Sequence, residues 1–247
     1  MMPKLPGEME FLESVIHTYV TSESPQDRLI KNLAVRTFRN YMQPGRTGLE
    51  FGCCDGFMTS LIAPLVSSLT VVDGSKTFIE MAKKRAPDNV GFIHTLFEDF
   101  TPLEKYDYVF ATYVLEHVTD AVGFLTAAKN LLKPDGLLFI VVPNARALSR
   151  QLARHMGLID DLYALTPNDV NHGHRRVYDR NLLNRDVERA GLTTVAQGGL
   201  LLKLLADFQM DKMIEGGILG APQLEGLYKM GFEYPDLAGA LFSVCRA

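Results

Sequence analysis

Leu49-Glu50-Phe51-Gly52-Cys53-Cys54-Asp55-Gly56 is a short apolar run that ends in an acid and continues into a glycine-rich turn. A strand, such a turn and then a helix are common to nucleotide-binding α/β folds. The dinucleotide fingerprint G-x-G-x-x-G would need glycine at the positions where this chain has Gly52, Cys54 and Phe57. Because the third glycine lets helix and strand pack closely beside a pyrophosphate, Phe57 disfavours a nicotinamide cofactor.

Around this turn, predicted strands and helices alternate along the chain. The predicted strands are short, apolar and rich in Val, Ile and Phe, which is typical of strands covered on both faces, and they lie at residues 48–51, 69–73, 90–95, 108–112 and 137–142. The helices predicted between them cover residues 57–66, 76–85 and 121–132. Lys133-Pro134-Asp135-Gly136 is predicted to be a turn. This alternation predicts a parallel sheet with right-handed crossovers.

The pattern differs at the two ends of the chain. Two amphipathic helical stretches precede the first strand, and we describe residues 1–44 as an N-terminal helical segment before a domain at 45–247. Residues 145–180 contain no strand pattern and are predicted to form a lid over the substrate. The elements predicted after the lid are a helix, a strand, two helices and a closing strand, at residues 181–190, 192–195, 204–214, 222–230 and 240–244.

The composition limits the classes of partner. The chain has 247 residues, of which 47% are hydrophobic, so one α/β domain with an elaboration can bury a large core. The net charge of -4 argues against long nucleic acid and favours a small-molecule partner. Three cysteines, two of them adjacent, argue against a disulfide framework and predict a reducing cytoplasm. No apolar run could span a bilayer, so we expect no membrane association, while a homodimer stays open.

Asp73 is the second acid at a predicted strand end. A carboxylate there can accept both hydroxyls of a ribose, which is the interpretation we favour. The alternative is a turn residue before Gly74-Ser75, with Ser75 capping the next helix. For a ligand with an ammonium group in place of a phosphate, Glu50 would be the matching anion, and Gly52 would allow close backbone approach.

Four stretches of the sequence together resemble the class I S-adenosylmethionine (SAM)-dependent methyltransferases: LEFGCCDG at 49–56, VVDGS at 71–75, KYDYVFATYVLEHVTD at 105–120 and LLKPDGLLFIVVPN at 131–144. Within that family, the chain is most similar to small-molecule enzymes such as the ubiquinone-biosynthesis O-methyltransferases and natural-product tailoring enzymes. The resemblance implies a Rossmann-like α/β fold with helices on both faces of a seven-stranded, mostly parallel sheet. The implied strand order is 3-2-1-4-5-7-6, with strand 7 antiparallel.

The same resemblance implies a function and a cofactor site. The cofactor would be SAM, with S-adenosylhomocysteine as product, and the methyl group would pass to a small organic acceptor, most readily at oxygen. Methylation at nitrogen or carbon, or a SAM-binding subunit without turnover, are the alternatives. The implied cofactor contacts follow the first four strand ends: Glu50, Gly52, Cys53, Phe57, Asp73, Gly74, Leu96, Phe97, Thr112, Tyr113 and His117. Leu96 stands where the family often has an acid, so backbone groups near Leu96 and Phe97 would bind the adenine.

Two histidine-bearing segments could carry the chemistry. Methyl transfer from a sulfonium is an in-line displacement, which needs a general base only if the acceptor must lose a proton. His117 is one candidate base, with a structural histidine as its alternative, and His174 in the lid is the other. The lid could instead be a solvated loop. The predicted acceptor contacts are Tyr19, Tyr113, Asn144, His172, His174, Arg175, Arg176 and Tyr178.

The same segments also contain metal-ligating residue types. Glu116, His117 and either His172 or His174 could supply three ligands of a divalent ion. Metal-dependent RNA methyltransferases have a related E-x-x-E-H pattern, and Tyr113 stands at its first position here. Because that ligand is missing, we expect no bound metal. An RNA methyltransferase would also need a basic face, which the composition does not indicate.

Overall fold

Seven strands form one sheet in the computed structural model, which describes residues 7–20 and 24–247 except for the side chains of His17, Tyr19 and Val20. The strands are β1 (Thr47–Phe51), β2 (Ser68–Asp73), β3 (Val90–His94), β4 (Tyr106–Thr112), β5 (Leu132–Pro143), β6 (Thr193–Leu200) and β7 (Ala240–Arg246). Their order across the sheet is β3-β2-β1-β4-β5-β7-β6. β7 pairs antiparallel with β5 and β6, and the other pairs are parallel. The predicted fold class is confirmed.

Helices cover both faces of this sheet. They are α1 (Glu8–Val20), α2 (Pro25–Phe38), α3 (Phe57–Ile62), α4 (Lys76–Lys83), α5 (Ala121–Asn130), α6 (Leu148–His155), α7 (Pro167–Asn171), α8 (Arg180–Arg189), α9 (Asp207–Glu215) and α10 (Ala221–Glu233). Phe38 at the end of α2 is fully buried against Phe110 and Phe139 of the sheet. α2 therefore belongs to the same core as the strands, although it precedes the boundary that we placed at residue 45. None of the described helices is long and apolar enough to cross a lipid bilayer.

The predicted turn at Lys133–Gly136 is wrong, because these residues form a bulge inside β5. Leu132 pairs with Tyr106 and Leu137 pairs with Tyr108, so four residues of β5 lie opposite the single residue Asp107. Gly136 closes the bulge, since a Cβ atom there would lie 3.0 Å from the Tyr106 carbonyl oxygen. The strand therefore begins five residues earlier than its apolar run.

Other helix and strand boundaries also differ from those predicted from the sequence, and each difference has a local cause. The helix predicted at 57–66 ends at Ile62 because Pro64 follows and the chain tightens into a 3₁₀ turn. β6 extends past the predicted residue 195 to Leu200, through two glycines that pack closely: a Cβ atom on Gly199 would lie 2.3 Å from the Ala238 side chain. The lid contains two short helices, α6 and α7, that the polar sequence did not reveal.

Candidate functional site

The carboxyl ends of the central parallel strands meet at one edge of the sheet. Register places Phe51 beside Val72, Asp73 beside His94, and Thr112 beside Val141. Ligands of open α/β sheets bind outside this edge, where the strand order reverses between β1 and β4. The site residues predicted at strand ends are therefore brought together by the topology.

Glu50, near the end of β1, carries a buried carboxylate without a partner. The residue is 0% exposed, and neither carboxylate oxygen has a hydrogen-bond partner among the described residues. Burial raises the pKa of Glu50 to about 8, the nearby Thr59 hydroxyl and Lys31 oppose this shift, and the Asp73 carboxylate adds to it. By geometry the Thr59 hydroxyl makes no hydrogen bond to the carboxylate. A buried carboxylate left without a partner is rare in proteins and indicates that a group outside the chain completes the site.

The loop after β1 is held in a left-handed conformation at three positions. φ is 76° at Gly52, 47° at Cys54 and 79° at Gly56. Gly56 is required by packing, because a Cβ atom there would lie 2.5 Å from the Ala82 Cα atom of α4. Cys54 adopts a conformation that glycine would adopt without cost, and this strain is of the order of 1–2 kcal/mol. Phe57 opens α3 with its ring 4.6 Å below the guanidinium of Arg28.

Asp73 holds the loop in place through both carboxylate oxygens. Oδ2 accepts a hydrogen bond from the Cys53 amide at 2.8 Å, and Oδ1 accepts one from the Ser75 amide at 2.8 Å. Ser75 caps α4 by accepting from the Phe78 amide at 3.1 Å. These are the contacts of the turn residue that we considered as the alternative. Oδ2 also accepts from the Cys53 thiol at 3.4 Å, so Oδ1 has more acceptor capacity left for a ribose hydroxyl, and the ribose contact stays a prediction.

The first helix lies over the neighbouring edge residues. A Cβ atom on Gly74 would lie 2.6 Å from a methyl group of Leu12 in α1 and 3.0 Å from one of Leu96, so these side chains pack directly against the Gly74 backbone. Phe97 packs edge-on against Phe51, with ring centroids 5.2 Å apart. α1 thus covers the surface on which we predicted the adenosine contacts.

The end of β4 carries a strained tyrosine. Tyr113 follows Thr112 with φ of 58°, an uncommon value for a bulky residue, and its hydroxyl is buried without a hydrogen-bond partner among the described side chains and backbone. Its amide donates to the Val141 carbonyl at 2.8 Å, which continues the strand pairing. Backbone strain beside an unsatisfied buried hydroxyl is a feature of ligand sites.

Glu116, His117 and His174 form a cluster in which one ligand-type atom from each residue lies within 4.8 Å of the others. The His117 and His174 rings meet edge-on with centroids 4.8 Å apart. Burial raises the pKa of Glu116 to about 7, with His174 opposing the shift. Burial also lowers the pKa of His117 to about 3, and His174 adds to this shift. At neutral pH His117 is therefore an uncharged imidazole and a weak base.

His174 is oriented by Asp169, which is not among the site residues predicted from the sequence. The His174 Nδ1 atom lies 3.2 Å from Asp169 Oδ1. Asp169 is itself fixed, because its other oxygen accepts hydrogen bonds from the Thr166 amide at 2.8 Å and the Thr166 hydroxyl at 2.7 Å. The Thr166-Pro167-Asn168-Asp169 stretch has the form of a capping box, and this motif could have revealed both α7 and the position of Asp169.

The lid arginines bind the chain itself. The Arg175 Nε atom donates to the His117 carbonyl at 2.7 Å, and its guanidinium pairs with Glu8 of α1 at 2.8 Å. Arg176 donates to the carbonyls of the loop that follows β4, including Leu115 at 2.6 Å. These contacts fasten the lid to the rest of the chain, and acceptor binding by Arg175 and Arg176 stays a prediction.

Two other predicted acceptor contacts also have structural roles. The Asn144 side-chain amide donates to the Ala238 carbonyl at 2.8 Å, and its oxygen accepts from the Arg146 amide at 2.9 Å. Tyr178 is 1% exposed and donates to Asp186 at 3.1 Å. Both side chains thus hold the base of the lid in place, and acceptor binding by them stays a prediction.

The last two predicted acceptor contacts are His172 and Tyr19. The His172 Nδ1 atom lies 2.8 Å from the Asn168 carbonyl, and its ring is 6.3 Å from that of His174, so it borders the cluster. The side chain of Tyr19 lies outside the described residues. Thr112, which is a predicted cofactor contact, is buried at the end of β4.

Comparisons with known proteins agree with this architecture. A family model described as a methyltransferase domain matches residues 22–197. The ubiquinone biosynthesis O-methyltransferase of Actinobacillus pleuropneumoniae serotype 5b (strain L20) is 32% identical over 152 residues, which cover 57% of this chain and 63% of that protein. The enzyme of the same name from Rhodopseudomonas palustris (strain TIE-1) is 28% identical over 164 residues, covering 64% and 63%. The matches span less than two thirds of these relatives' length.

Solved structures with the same fold have low sequence identity. The DhpI-SAM-HEP complex aligns with a TM-score of 0.64 and 18% identity, covering 99% of this chain and 100% of that one. The N-methyltransferase NodS from Bradyrhizobium japonicum WM9, in complex with S-adenosyl-L-homocysteine, aligns with a TM-score of 0.56 and 16% identity, covering 94% and 95%. Since the family model matches well over half of its residues, the chain belongs to the methyltransferase-domain family, as its motifs predicted.

Proposed function

We propose that this chain is a SAM-dependent methyltransferase that transfers a methyl group to an oxygen atom of a small organic acceptor. The observation that carries the proposal is the buried, unpartnered carboxylate of Glu50 at the ligand-binding edge of the sheet. An ammonium group beside it would supply the opposite charge and hydrogen bonds that the described part of the chain lacks. The amino-acid portion of SAM carries such a group.

The other edge residues fit the rest of this cofactor. Gly52 leaves its backbone open to close approach, and Asp73 has free lone pairs for ribose hydroxyls. Adenine would lie near Leu96 and Phe97, where α1 can close over it. Thr112 and Tyr113 would border the methionine portion, and the buried Tyr113 hydroxyl has a free hydrogen-bonding position. Of the predicted contacts, Cys53 serves chiefly through the backbone bond that holds Asp73.

When bound, SAM supplies an electrophilic methyl group on a sulfonium that is already a good leaving group. The chain must then hold the acceptor in line and take up its proton. We assign the proton to the Nε2 atom of His174, because the Asp169 carboxylate beside Nδ1 fixes that ring and its tautomer. His117 is the weaker choice as base, since its Nδ1 atom faces the Gly173 carbonyl at 3.3 Å and burial lowers its pKa.

The relatives favour oxygen over nitrogen as the methylated atom. Two similar curated proteins are named as O-methyltransferases, whereas NodS, an N-methyltransferase, shares only the fold. Nitrogen or carbon acceptors are therefore the second candidate. The described cysteines Cys53, Cys54 and Cys245 are all unpaired, which fits the reducing cytoplasm that we propose as the location.

Two measurements test the proposal. Calorimetric titration with S-adenosylhomocysteine should show one binding event, weakened in Glu50→Gln. Transfer of labelled methyl from SAM to a panel of phenols, carboxylates and amines should label an oxygen acceptor. Failure to bind S-adenosylhomocysteine would overturn the cofactor assignment. Transfer to amines alone would overturn the oxygen assignment, and binding without transfer to any acceptor would favour a subunit without turnover.

A further inference from the structure

Three metal-ligating side chains converge from two separate segments of the chain. Glu116 and His117 follow β4, and His174 follows α7 in the lid. One carboxylate oxygen and one ring nitrogen from each histidine lie within 4.8 Å of one another. First-row divalent ions bind nitrogen and oxygen ligands at about 2.0–2.2 Å, so two ligand atoms of one ion lie at most about 4.4 Å apart. Separations of up to 4.8 Å therefore need only a small movement of the side chains to close around an ion.

The Glu116 carboxylate provides an independent observation. Glu116 is 1% exposed, and both of its oxygens lack a hydrogen-bond partner among the residues that the structure describes. The nearby arginines leave it unpaired, because Arg176 donates to the carbonyls of Leu115, Val118 and Thr119. A buried carboxylate in this position is costly unless a cation accompanies it.

Both imidazoles are prepared by their outer contacts to act as ligands. His117 Nδ1 lies 3.3 Å from the Gly173 carbonyl, and His174 Nδ1 lies 3.2 Å from the Asp169 carboxylate. Metal-binding histidines characteristically donate their other ring N–H to a carbonyl or a carboxylate, which leaves the second nitrogen free for the ion. Here Nε2 is that second nitrogen on both rings. Asp169 is anchored in turn by Thr166 and Arg150.

We propose that Glu116, His117 and His174 bind a divalent transition-metal ion. Two imidazoles and one carboxylate favour zinc, iron, manganese or cobalt over the all-oxygen coordination that calcium and magnesium prefer. Three protein ligands leave coordination positions open, as in catalytic metal sites. The sequence argued against a metal because Tyr113 replaces an acid, but two histidines and one carboxylate form a sufficient set without it.

The ion changes how an acceptor would lose its proton. With a metal bound, the histidines are ligands, and a hydroxyl at an open coordination position would lose its proton to solvent more readily. His174 would then act as a base only in the metal-free protein. This consequence rests on the proposed methyltransferase function, whereas binding of the ion does not.

The test is a titration of the full-length chain after treatment with EDTA and desalting. MnCl2, CoCl2 and ZnCl2 are each titrated calorimetrically, and the visible absorption of bound Co²⁺ reports its coordination. We expect one ion per chain and a Co²⁺ spectrum with nitrogen ligands. S-adenosylhomocysteine is titrated separately into the EDTA-treated protein, so that loss of the cofactor site and absence of the metal site give different results.

Variants identify the ligands. Glu116→Gln and His174→Ala should weaken Co²⁺ binding at least as much as loss of an outer contact, which costs about 10- to 100-fold. Asp169→Asn removes such an outer contact and should weaken Co²⁺ binding by about 10- to 100-fold. His155→Ala removes an exposed histidine at the end of α6 and should bind Co²⁺ as the wild type does. Circular dichroism confirms that each variant is folded, and if Glu116→Gln is not, His174→Ala and Asp169→Asn decide.

Two results would overturn the proposal. One is the absence of stoichiometric binding of all three ions to the wild-type chain. The other is binding that folded His174→Ala retains undiminished, because the ion would then lie elsewhere.

Discussion

The Glu13 carboxylate of α1 accepts a hydrogen bond from the Thr77 hydroxyl at 2.8 Å and one from the Ser75 hydroxyl at 2.9 Å, which ties the first helix to the start of α4. Glu8, the first residue of α1, pairs with Arg175 of the lid. α1 therefore bridges the two sides of the edge where we place the cofactor.

Glu13→Ala should loosen this bridge. Exposed contacts of this kind are worth up to about 1 kcal/mol, so global stability should change little. Backbone amides of α1 should exchange with deuterium several-fold faster, and S-adenosylhomocysteine should dissociate faster. Hydrogen exchange by mass spectrometry and stopped-flow displacement measure both. Glu10→Ala, on the same helix, is the control, and equal effects of the two variants would contradict the role of Glu13.

Glu50 should make cofactor affinity depend on pH. Its pKa is raised to about 8 by burial in the unliganded protein, and an ammonium ligand favours the ionised form. Binding therefore releases a proton, and the affinity for S-adenosylhomocysteine should rise roughly tenfold between about pH 6.5 and pH 8 and then level off. In Glu50→Gln this slope should vanish. The exposed variant Glu104→Gln is the control. A slope that persists in Glu50→Gln would mean that another group binds the ammonium.

Tyr113→Phe should separate stability from function. Its hydroxyl is buried without a partner among the described residues, and such a group costs about 1–3 kcal/mol. Removing it should raise the unfolding temperature of the unliganded protein while weakening S-adenosylhomocysteine binding or methyl transfer. Thermal unfolding with and without the ligand measures both effects. Tyr41→Phe, outside the site, should change neither property by a comparable amount. A destabilised Tyr113→Phe protein would show that the hydroxyl already has a partner.

Much of the fold followed from sequence because its determinants are local. The apolar strands, the glycine-rich loop and the acids at Glu50 and Asp73 are contiguous patterns, and the sheet order followed from their resemblance to a known family. The bulge of Lys133–Gly136 did not follow, because Pro-Asp-Gly favours a turn equally well in isolation. Only pairing of the flanking residues with β4 makes it part of a strand.

The candidate site was predictable at the strand ends and less so in the lid. Asn144, Arg175 and Arg176 are polar residues of the kinds that bind substrates, yet the carbonyl groups that they contact lie far away in sequence. The cluster of Glu116 with His174 depends on the path of the lid across the end of β4. No short pattern encodes that contact, although the capping box at Thr166 marks where the lid turns back.

Asp169→Asn should reduce methyl transfer while leaving the cofactor site intact. Asp169 orients His174, so the ring loses its fixed tautomer whether it serves as base or as ligand. We expect kcat to fall about 100-fold, within the range typical of general acid–base groups, with unchanged affinity for S-adenosylhomocysteine. Single-turnover kinetics and calorimetry separate the two effects. Asp160→Asn, an exposed acid of the lid, is the control. An unchanged kcat would remove His174 from the chemistry.

Asp107 should make the fold sensitive to acid. Its carboxylate accepts hydrogen bonds from Arg46 at 2.9 Å, from the Thr47 amide at 2.9 Å and from Lys133 at 2.8 Å. Burial alone would raise the pKa of Asp107, but the hydrogen bonds from Lys133, Thr47 and Arg46 outweigh it and hold the pKa below its usual value. The folded state therefore binds this proton less readily than the unfolded state does. The stabilisation is complete above the unfolded pKa of about 4 and is lost as the pH falls below it.

Asp107→Asn should accordingly lower the free energy of unfolding at pH 7 by about 1–3 kcal/mol, because the charged partners of the carboxylate lose their acceptor. The difference from the wild type should shrink as the pH falls towards about 3, since the unfolded wild-type chain then binds a proton at Asp107 that the folded state takes up only at lower pH. Urea unfolding at both pH values measures the change. Asp135→Asn, an exposed acid in the neighbouring bulge, is the matched control. A difference between Asp107→Asn and the wild type that is as large near pH 3 as at pH 7 would mean that packing, and not the charge of Asp107, stabilises this end of the sheet.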